Sequence, residues 1–172
     1  YLNYIYIPAP KTYYKNVYKL LPGHRMIFDV KSKSIIKDSA YWRLNVNTKQ
    51  ASERKQEDII EELKELIKES VSEQMIADVR VGTFLSGGVD SSIVTYEGYK
   101  INPKIECFSM GFTQKEYNEL QYARKLAERY KLNWNVKTFN RDIFLEHYDR
   151  LRDWYDEPFA DCSAFPTYIV SK

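Results

Sequence analysis

The sequence predicts an α/β fold, a three-layer sandwich in which helices cover both faces of a mostly parallel β-sheet. Between residues 79 and 155, three strand-like segments each precede a helix-like segment, with turn residues in between. Strands that alternate with helices in this way pair in parallel through right-handed crossovers. With 172 residues, 44% of them hydrophobic and 29% charged, the chain has ordinary globular composition and enough length for a core of its own.

Residues 1–50 are predicted to form a lead-in that consists of a short helix and a β-hairpin. The helix is expected over residues 12–20. Strands over residues 26–30 and 34–37 would flank a three-residue turn, Lys31-Ser32-Lys33, a spacing that is typical of a hairpin.

The lead-in is also rich in tyrosine, and this suggests a surface that another domain covers. Half-buried aromatic surfaces of this kind are typical of interfaces. A stacking platform for nucleic-acid bases is the alternative, although basic residues are sparse between the rings. The tyrosines concerned are Tyr1, Tyr4, Tyr6, Tyr13, Tyr14 and Tyr18.

Residues 51–172 are predicted to form the α/β domain itself. Ser52 would begin a long helix, because apolar residues recur after it at intervals of three and four. Strands are expected over 79–85, 105–110 and 134–139, followed by helices over 91–99, 117–130 and 143–155. A last helix would begin at Ser163. We expect the first strand to be buried on both faces, since most of its residues are apolar.

A glycine turn joins the first strand to its helix and is the most informative segment of the chain. Residues 86–88 carry no bulky side chains, and Ser91 and Ser92 open the helix. In such a turn, backbone N–H groups and the positive end of the helix dipole point into one concavity. The sequence therefore predicts an anion site, with an ordinary Gly-Gly turn capped by Asp90 or Ser91 as the alternative.

The run Ser-Gly-Gly-Val-Asp-Ser that begins at Ser86 resembles the pyrophosphate loop of the ATP pyrophosphatase (PP-loop) superfamily. It lacks the Gly-Lys-Ser/Thr ending of a Walker loop. Together with Pro22-Gly-His and Tyr41-Trp before it, and Ser109-Met-Gly and Asp156-Glu-Pro after it, the loop is similar to glutamine-hydrolysing asparagine synthetases. The similar region begins between their two halves and continues into the C-terminal synthetase domain.

This resemblance implies a Rossmann-like fold of the adenine nucleotide alpha hydrolase (HUP) type that binds ATP and Mg²⁺. The phosphates would lie on the loop, Mg²⁺ at Asp90, and adenine across Leu85 and the backbone of residues 109–111. No residue is expected to act as a covalent catalyst. The implied nucleotide-binding residues are Leu85, Ser86, Gly87, Gly88, Asp90, Ser91, Ser92, Ser109, Met110 and Gly111.

The resemblance also implies a ligase that forms asparagine. The side-chain carboxylate of aspartate would be adenylated with release of pyrophosphate, and ammonia from glutamine would then displace AMP. A glutaminase domain of the same protein would supply the ammonia. Two alternatives stay open: another amide-forming enzyme of the superfamily that acts on a different carboxylate, and a non-catalytic nucleotide-binding module.

By the same resemblance, the chain is expected to be a fragment. Residues 1–50 would be the inter-domain lead-in and residues 51–172 the N-terminal part of the ATP-binding synthetase domain. The glutaminase domain and a later acidic loop would lie outside the chain, so we expect these residues alone to be inactive. In the expected strand order 3-2-1-4-5, the strand over 79–85 would be an open edge through which copies associate.

Composition argues against several other classes of protein. A net charge of +2 is too small to indicate binding to nucleic acid or to an anionic membrane. No apolar run approaches the ~20 residues that span a bilayer, and we expect the cytoplasm as the compartment. Cys107 is predicted to be a buried structural thiol, because the chain has no Cys-x-x-Cys pair. His24 and His147 are isolated and do not predict a metal site.

Asp156, Glu157 and Asp161 place three carboxylates close together in the sequence. They predict either a site for a metal or an amino group, or only the end of one helix and the cap of the next. Glu119 has two interpretations as well, as a site residue or as a favourable charge at a helix N-terminus.

Overall fold

The computed structural model describes residues 1–46, 54–113, 116 and 118–172, which form two compact units. Unit 1 comprises Tyr1–Glu53 with Arg152–Cys162, and unit 2 comprises Arg54–Leu151 with Ser163–Lys172. The predicted boundary at residue 50 and the predicted helix start at Ser52 lie outside the described residues. The segment Arg152–Cys162 clusters with the N-terminal residues, whereas the sequence placed it in the α/β domain.

Unit 1 contains the predicted hairpin. Strands β1 (His24–Asp29) and β2 (Ser34–Ala40) pair in antiparallel fashion. In the turn between them, the Asp29 carboxylate accepts hydrogen bonds from the Ser32 hydroxyl (2.5 Å), the Ser32 N–H (3.0 Å) and the Lys31 N–H (3.2 Å). These bonds lower the pKa of Asp29, with the Ser32 hydroxyl as the largest cause. The hairpin prediction is confirmed.

The helix predicted over residues 12–20 is wrong, because a loop takes its place. Lys11 and Tyr18 pair across this loop as an isolated antiparallel bridge. Thr12 Oγ1 donates to the Val17 carbonyl at 2.8 Å and accepts from the Tyr14 N–H at 3.1 Å. A threonine hydroxyl that bonds to nearby backbone groups competes with helical hydrogen bonds, and here the local bonds prevail.

Unit 2 is the α/β sandwich. Its parallel sheet has the spatial order β3 (Gly82–Phe84), β4 (Glu106–Phe112) and β5 (Asn133–Phe139). The α/β class and the parallel pairing are thereby confirmed. The helices are α1 (Gln56–Gln74), α2 (Val89–Ile101), α3 (Leu120–Tyr130), α4 (Arg141–Asp153) and α5 (Ala164–Ser171). Residue 117, the predicted start of the third helix, lies outside the described part of the chain.

Helices cover both faces of the sheet. On one face, Cys107 of β4 and Ala123 of α3 share a buried cluster with Leu85. Burial raises the pKa of the Cys107 thiol, so this residue is a buried structural thiol as predicted. On the other face, Met110 packs against the buried Tyr168 of α5 and its neighbour Ile169. None of the described helices has the length and apolar character that a membrane crossing requires.

Strand β3 is shorter and more exposed than predicted. Val79 lies outside it and is 77% exposed, and Phe84 is 54% exposed. Thr83 does point into the core, where its hydroxyl accepts a hydrogen bond from Thr95 Oγ1 at 3.0 Å. The prediction of a strand buried on both faces is wrong, because α5 covers the sheet over β4 and β5 and leaves Phe84 at the margin.

Candidate functional site

The predicted glycine loop lies between the end of β3 and the start of α2. Gly88 is the N-cap residue of α2, and no side chain caps the helix. Parallel strands present their carboxyl ends at one edge of a sheet, where ligands of α/β proteins bind. The structure therefore brings the loop next to the end of β4, as predicted from the order of strands and helices.

A cavity of about 250 Å³ opens beside this loop. Leu85 and Ser86 line it from the loop, and Ser109 and Met110 line it from β4. Phe84, Phe108 and Phe112 also line it. A mostly apolar cavity with a few polar groups is typical of small-molecule sites.

Backbone N–H groups of the loop fall into two sets. Ser86 N–H donates to Ser91 Oγ at 3.2 Å, and Gly88 N–H donates to Ser86 Oγ at 3.3 Å. By contrast, the N–H groups of residues 87 and 89–91 have no hydrogen-bond partner among the residues that the structure describes. Three of these belong to the first turn of α2, where a helix leaves its donors unpaired. Such donors, together with the helix dipole, favour an anion.

The hydroxyl groups of the loop bond mainly to the loop itself. Ser91 Oγ lies 2.9 Å from Ser86 Oγ and donates to the Gly88 carbonyl at 3.2 Å. Ser92 N–H donates to the same carbonyl at 3.1 Å and closes the first turn of α2. Ser86 and Ser91 therefore hold the shape of the loop, which leaves the backbone N–H groups to face a ligand.

Two glycines permit close packing at the site. Gly87 has φ +96°, and a Cβ there would lie 2.7 Å from the backbone nitrogen of Ala123 in α3. At Gly111, a Cβ would lie 2.5 Å from Leu120 Cδ1. Gly87 therefore requires glycine, because its φ is positive and a Cβ would meet the backbone of α3. At Gly111 a Cβ would instead displace the Leu120 side chain.

Asp90 lies in the first turn of α2 and its side chain is exposed. No cluster of three or more His, Cys, Asp or Glu side chains that could hold a metal occurs in the described part of the chain. Mg²⁺ in nucleotide sites is usually bound by one or two carboxylates together with phosphates and water. A single accessible carboxylate beside unpaired N–H groups fits that requirement.

The backbones of residues 109–111 on β4 were predicted to contact adenine. Only the main-chain groups of Met110 point towards the cavity. The Phe108 carbonyl accepts from the Leu85 N–H at 2.8 Å and so points towards β3. Backbone groups alternate in direction along a strand, so those of Met110 point the same way, beyond the last residue of β3. The main-chain groups of Ser109 and Gly111 point towards β5 instead.

Some residues of the cavity carry no signal in the sequence. Thr167 and Val170 of α5 line the cavity, but no motif distinguishes them from other residues of an apolar helix. Glu119 also lines the cavity, and it is at the same time the N-cap residue of α3. Its two predicted interpretations therefore coincide at one position.

The acidic segment after α4 belongs to unit 1. Glu157 forms an ion pair with Lys19 and accepts a hydrogen bond from the Tyr13 N–H at 3.3 Å. The Tyr14 hydroxyl donates to the Asp156 carbonyl at 3.0 Å. These contacts join the segment to the N-terminal loop. Helix α4 ends at Asp153, before the segment, as the helix-end interpretation predicted. The amino group next to Glu157 belongs to Lys19 and not to a ligand.

Comparison with known sequences bears on this site. The sequence profile named asparagine synthase matches residues 62–172. The chain is 38% identical over 169 residues to a putative asparagine synthetase (glutamine-hydrolyzing) 2 of Methanocaldococcus jannaschii, an alignment that covers 97% of this chain and 32% of that protein. It is 30% identical over 172 residues to asparagine synthetase (glutamine-hydrolyzing) 1 of Bacillus subtilis, an alignment that covers 100% of this chain and 26% of that protein. The chain thus spans about a third or less of the length of these relatives.

Among solved structures, the chain is similar to the NH3-dependent NAD synthetase from Campylobacter jejuni in complex with a nitrate ion. The TM-score is 0.41 at 14% sequence identity, and the alignment covers 63% of this chain and 46% of that one.

Proposed function

The chain belongs to the asparagine synthase family, and on this basis we propose that it supplies part of the ATP site of a ligase that forms asparagine. The full-length protein would adenylate the side-chain carboxylate of aspartate, release pyrophosphate, and replace AMP by ammonia from glutamine. One observation carries the proposal: the N–H groups of residues 87 and 89–91 lack described partners and lie beside an apolar cavity.

In the proposed site, the loop binds the polyphosphate of ATP through these N–H groups. Asp90 would hold Mg²⁺, which when bound offsets the negative charge of the phosphates. The attacking group is the substrate carboxylate, so no side chain of the protein has to form a covalent bond. The protein contributes positioning and electrostatic stabilisation, the two terms that dominate nucleotidyl transfer.

The adenine ring would occupy the cavity between Leu85 and Met110. The N–H and C=O of Met110 face the same side of the strand and form a donor–acceptor pair. Adenine offers the complementary pair, since its ring nitrogens accept hydrogen bonds and its amino group donates. Phe84 and Phe108 would cover the apolar faces of the ring.

The choice of aspartate and glutamine as substrates follows from the names of the two relatives. Those names also support a glutaminase domain in the full-length protein, and we place the reaction in the cytoplasm. The tyrosines of unit 1 are candidates for the contact with that domain. Tyr4, Tyr13 and Tyr18 are 60%, 66% and 71% exposed, and tyrosine is enriched at protein interfaces.

Substitution of Asp90 tests the proposal. In the full-length protein, Asp90→Asn should reduce aspartate-dependent pyrophosphate release at least about 100-fold, since the loss of a charge that acts on the phosphates is felt mainly in the reaction. The melting temperature should stay close to that of the wild type, because Asp90 is exposed. Asp58→Asn, in the first turn of α1, is the matched control and should keep full activity. A fully active Asp90→Asn protein would refute the assignment.

A further inference from the structure

A buried hydroxyl group joins three strands next to the cavity. Ser109 is 3% exposed. Its Oγ donates a hydrogen bond to the Leu85 carbonyl and accepts one from the Trp134 indole N–H at 2.6 Å. The side chain is therefore fixed by a donor on β5 and an acceptor at the end of β3.

This hydroxyl occupies a position that a regular ladder would give to a backbone N–H. In a parallel ladder, a residue donates its N–H to the carbonyl of one residue on the neighbouring strand. Its own carbonyl then accepts the N–H of the residue two positions after that partner. Leu85 N–H donates to the Phe108 carbonyl at 2.8 Å, so the next bond would run from Met110 N–H to the Leu85 carbonyl. That bond is not among those between described residues, and Ser109 Oγ bonds to the carbonyl instead.

The consequence is an unpaired donor at the wall of the cavity. Met110 N–H points towards β3, has no hydrogen-bond partner among the described residues, and belongs to a residue that lines the cavity. A backbone N–H in such a place is costly to leave unpaired, which favours a ligand with a hydrogen-bond acceptor there.

We propose that Ser109 is a positioning residue for base recognition. Its hydroxyl donates a hydrogen bond to the Leu85 carbonyl and thereby keeps the Met110 N–H free for a ring nitrogen of adenine. This inference rests on the proposed function. The Met110 carbonyl faces the same side and accepts from the adenine amino group. Hypoxanthine carries a carbonyl oxygen in place of that amino group, so inosine triphosphate lacks the matching donor.

Removal of the hydroxyl should allow one further ladder hydrogen bond to form, from the Met110 N–H to the Leu85 carbonyl. In Ser109→Ala, the Leu85 carbonyl loses its partner and becomes available to Met110 N–H, so the cavity loses its donor. Two further variants separate this effect from a general loss of packing. Ser109→Thr keeps a hydroxyl at the position, and Trp134→Phe removes the indole donor but leaves the bond from Ser109 to Leu85 in place.

The first test measures dissociation constants of ATP, inosine triphosphate and pyrophosphate for the full-length protein and these variants. Ser109→Ala should weaken ATP binding about tenfold, roughly the effect of one hydrogen bond to a buried group. Pyrophosphate binding and the kcat at saturating ATP should change less than about twofold, and so should binding of inosine triphosphate. Ser109→Thr and Trp134→Phe should keep the wild-type preference for ATP.

An unchanged ratio of ATP to inosine triphosphate affinity in Ser109→Ala would overturn the inference while the proposed function stands. A wild-type protein that binds neither ATP nor pyrophosphate would overturn both.

The second test needs no variant and therefore does not depend on whether Ser109→Ala folds. Amide hydrogen exchange at Met110 should be fast in the free wild-type protein and slow once ATP is bound. The N–H of Phe108, inside the paired part of β4, is the internal reference and should be slow in both states. If the Met110 amide of the free protein exchanges as slowly as that of Phe108, the ladder is already closed and the inference is wrong.

Discussion

Single residues of the loop determine whether an anion can be bound next to the sheet. Gly87 lies against the backbone of α3 and has a positive φ, whereas its neighbour Gly88 has φ −69° and only Ser86 Oγ nearby, at 3.5 Å from an added Cβ. Two adjacent glycines thus have different physical roles. The first is required for packing, and the second leaves room for a ligand.

This difference predicts different effects of the two alanine substitutions. Gly87→Ala should lower the free energy of unfolding by about 1–3 kcal/mol, because a non-glycine residue at positive φ is strained and its Cβ would contact Ala123. Gly88→Ala should cost less than about 0.5 kcal/mol and should mainly weaken pyrophosphate binding. Urea denaturation with pyrophosphate titration measures both quantities. Equal losses of stability in the two variants would contradict the assigned roles.

Among single residues, the sequence was sufficient to predict the loop but not the hydrogen bond of Ser109. The loop residues are adjacent in the chain, so their spacing alone predicts a turn with free N–H groups. The bond from Ser109 to Leu85 joins residues 24 positions apart, and it depends on the register of β3 against β4. That register becomes visible only when the two strands are paired, because the pattern of either strand alone does not state which residues lie opposite each other.

Among the elements, periodicity predicted the long helices and the parallel strands, and it failed where side chains bond locally. Helix α1 follows from apolar residues at intervals of three and four. The segment over residues 12–20 was also predicted as a helix, but the Thr12 hydroxyl bonds to the backbone of its own loop. Such competition depends on tertiary context and is hard to recognise in the sequence.

The N-terminal loop and the segment after α4 are held together by the ion pair between Lys19 and Glu157. The two side chains are 33% and 21% exposed, so the pair is partly shielded from water. We expect Lys19→Glu and Glu157→Lys each to destabilise unit 1 by about 1–3 kcal/mol, because each variant brings like charges together. The double variant should recover most of the loss.

Thermal unfolding of the two single variants and the double variant measures this coupling. Exchange of the charges of Lys64 and Glu61, an exposed pair on α1, is the matched control and should change stability little. A double variant no more stable than the single variants would show that Lys19 and Glu157 do not act as a pair.

For the whole molecule, the relevant feature is the exposed sheet edge at β3. Within the described residues, β3 pairs only with β4, and Phe84 beside the cavity is half exposed. Edge strands of this kind tend to recruit further strands. We therefore expect the 172-residue chain by itself to dimerise or aggregate through β3.

Analytical ultracentrifugation of this chain tests the expectation. Phe84→Lys should reduce association, since a lysine on an edge strand disfavours pairing. Val136→Lys, at a half-exposed position of the opposite edge strand β5, should leave association unchanged. A stable, monodisperse monomer for the unmodified chain would count against the proposed edge.

We propose that the loop and the cavity together bind ATP for adenylation of a carboxylate. The most direct test is the exchange of labelled pyrophosphate into ATP, catalysed by the full-length protein with and without aspartate. We predict exchange that requires aspartate and is lost in Asp90→Asn. Exchange that does not depend on aspartate would contradict the acceptor, and no exchange with any carboxylate, in a protein that binds ATP, would contradict adenylation itself.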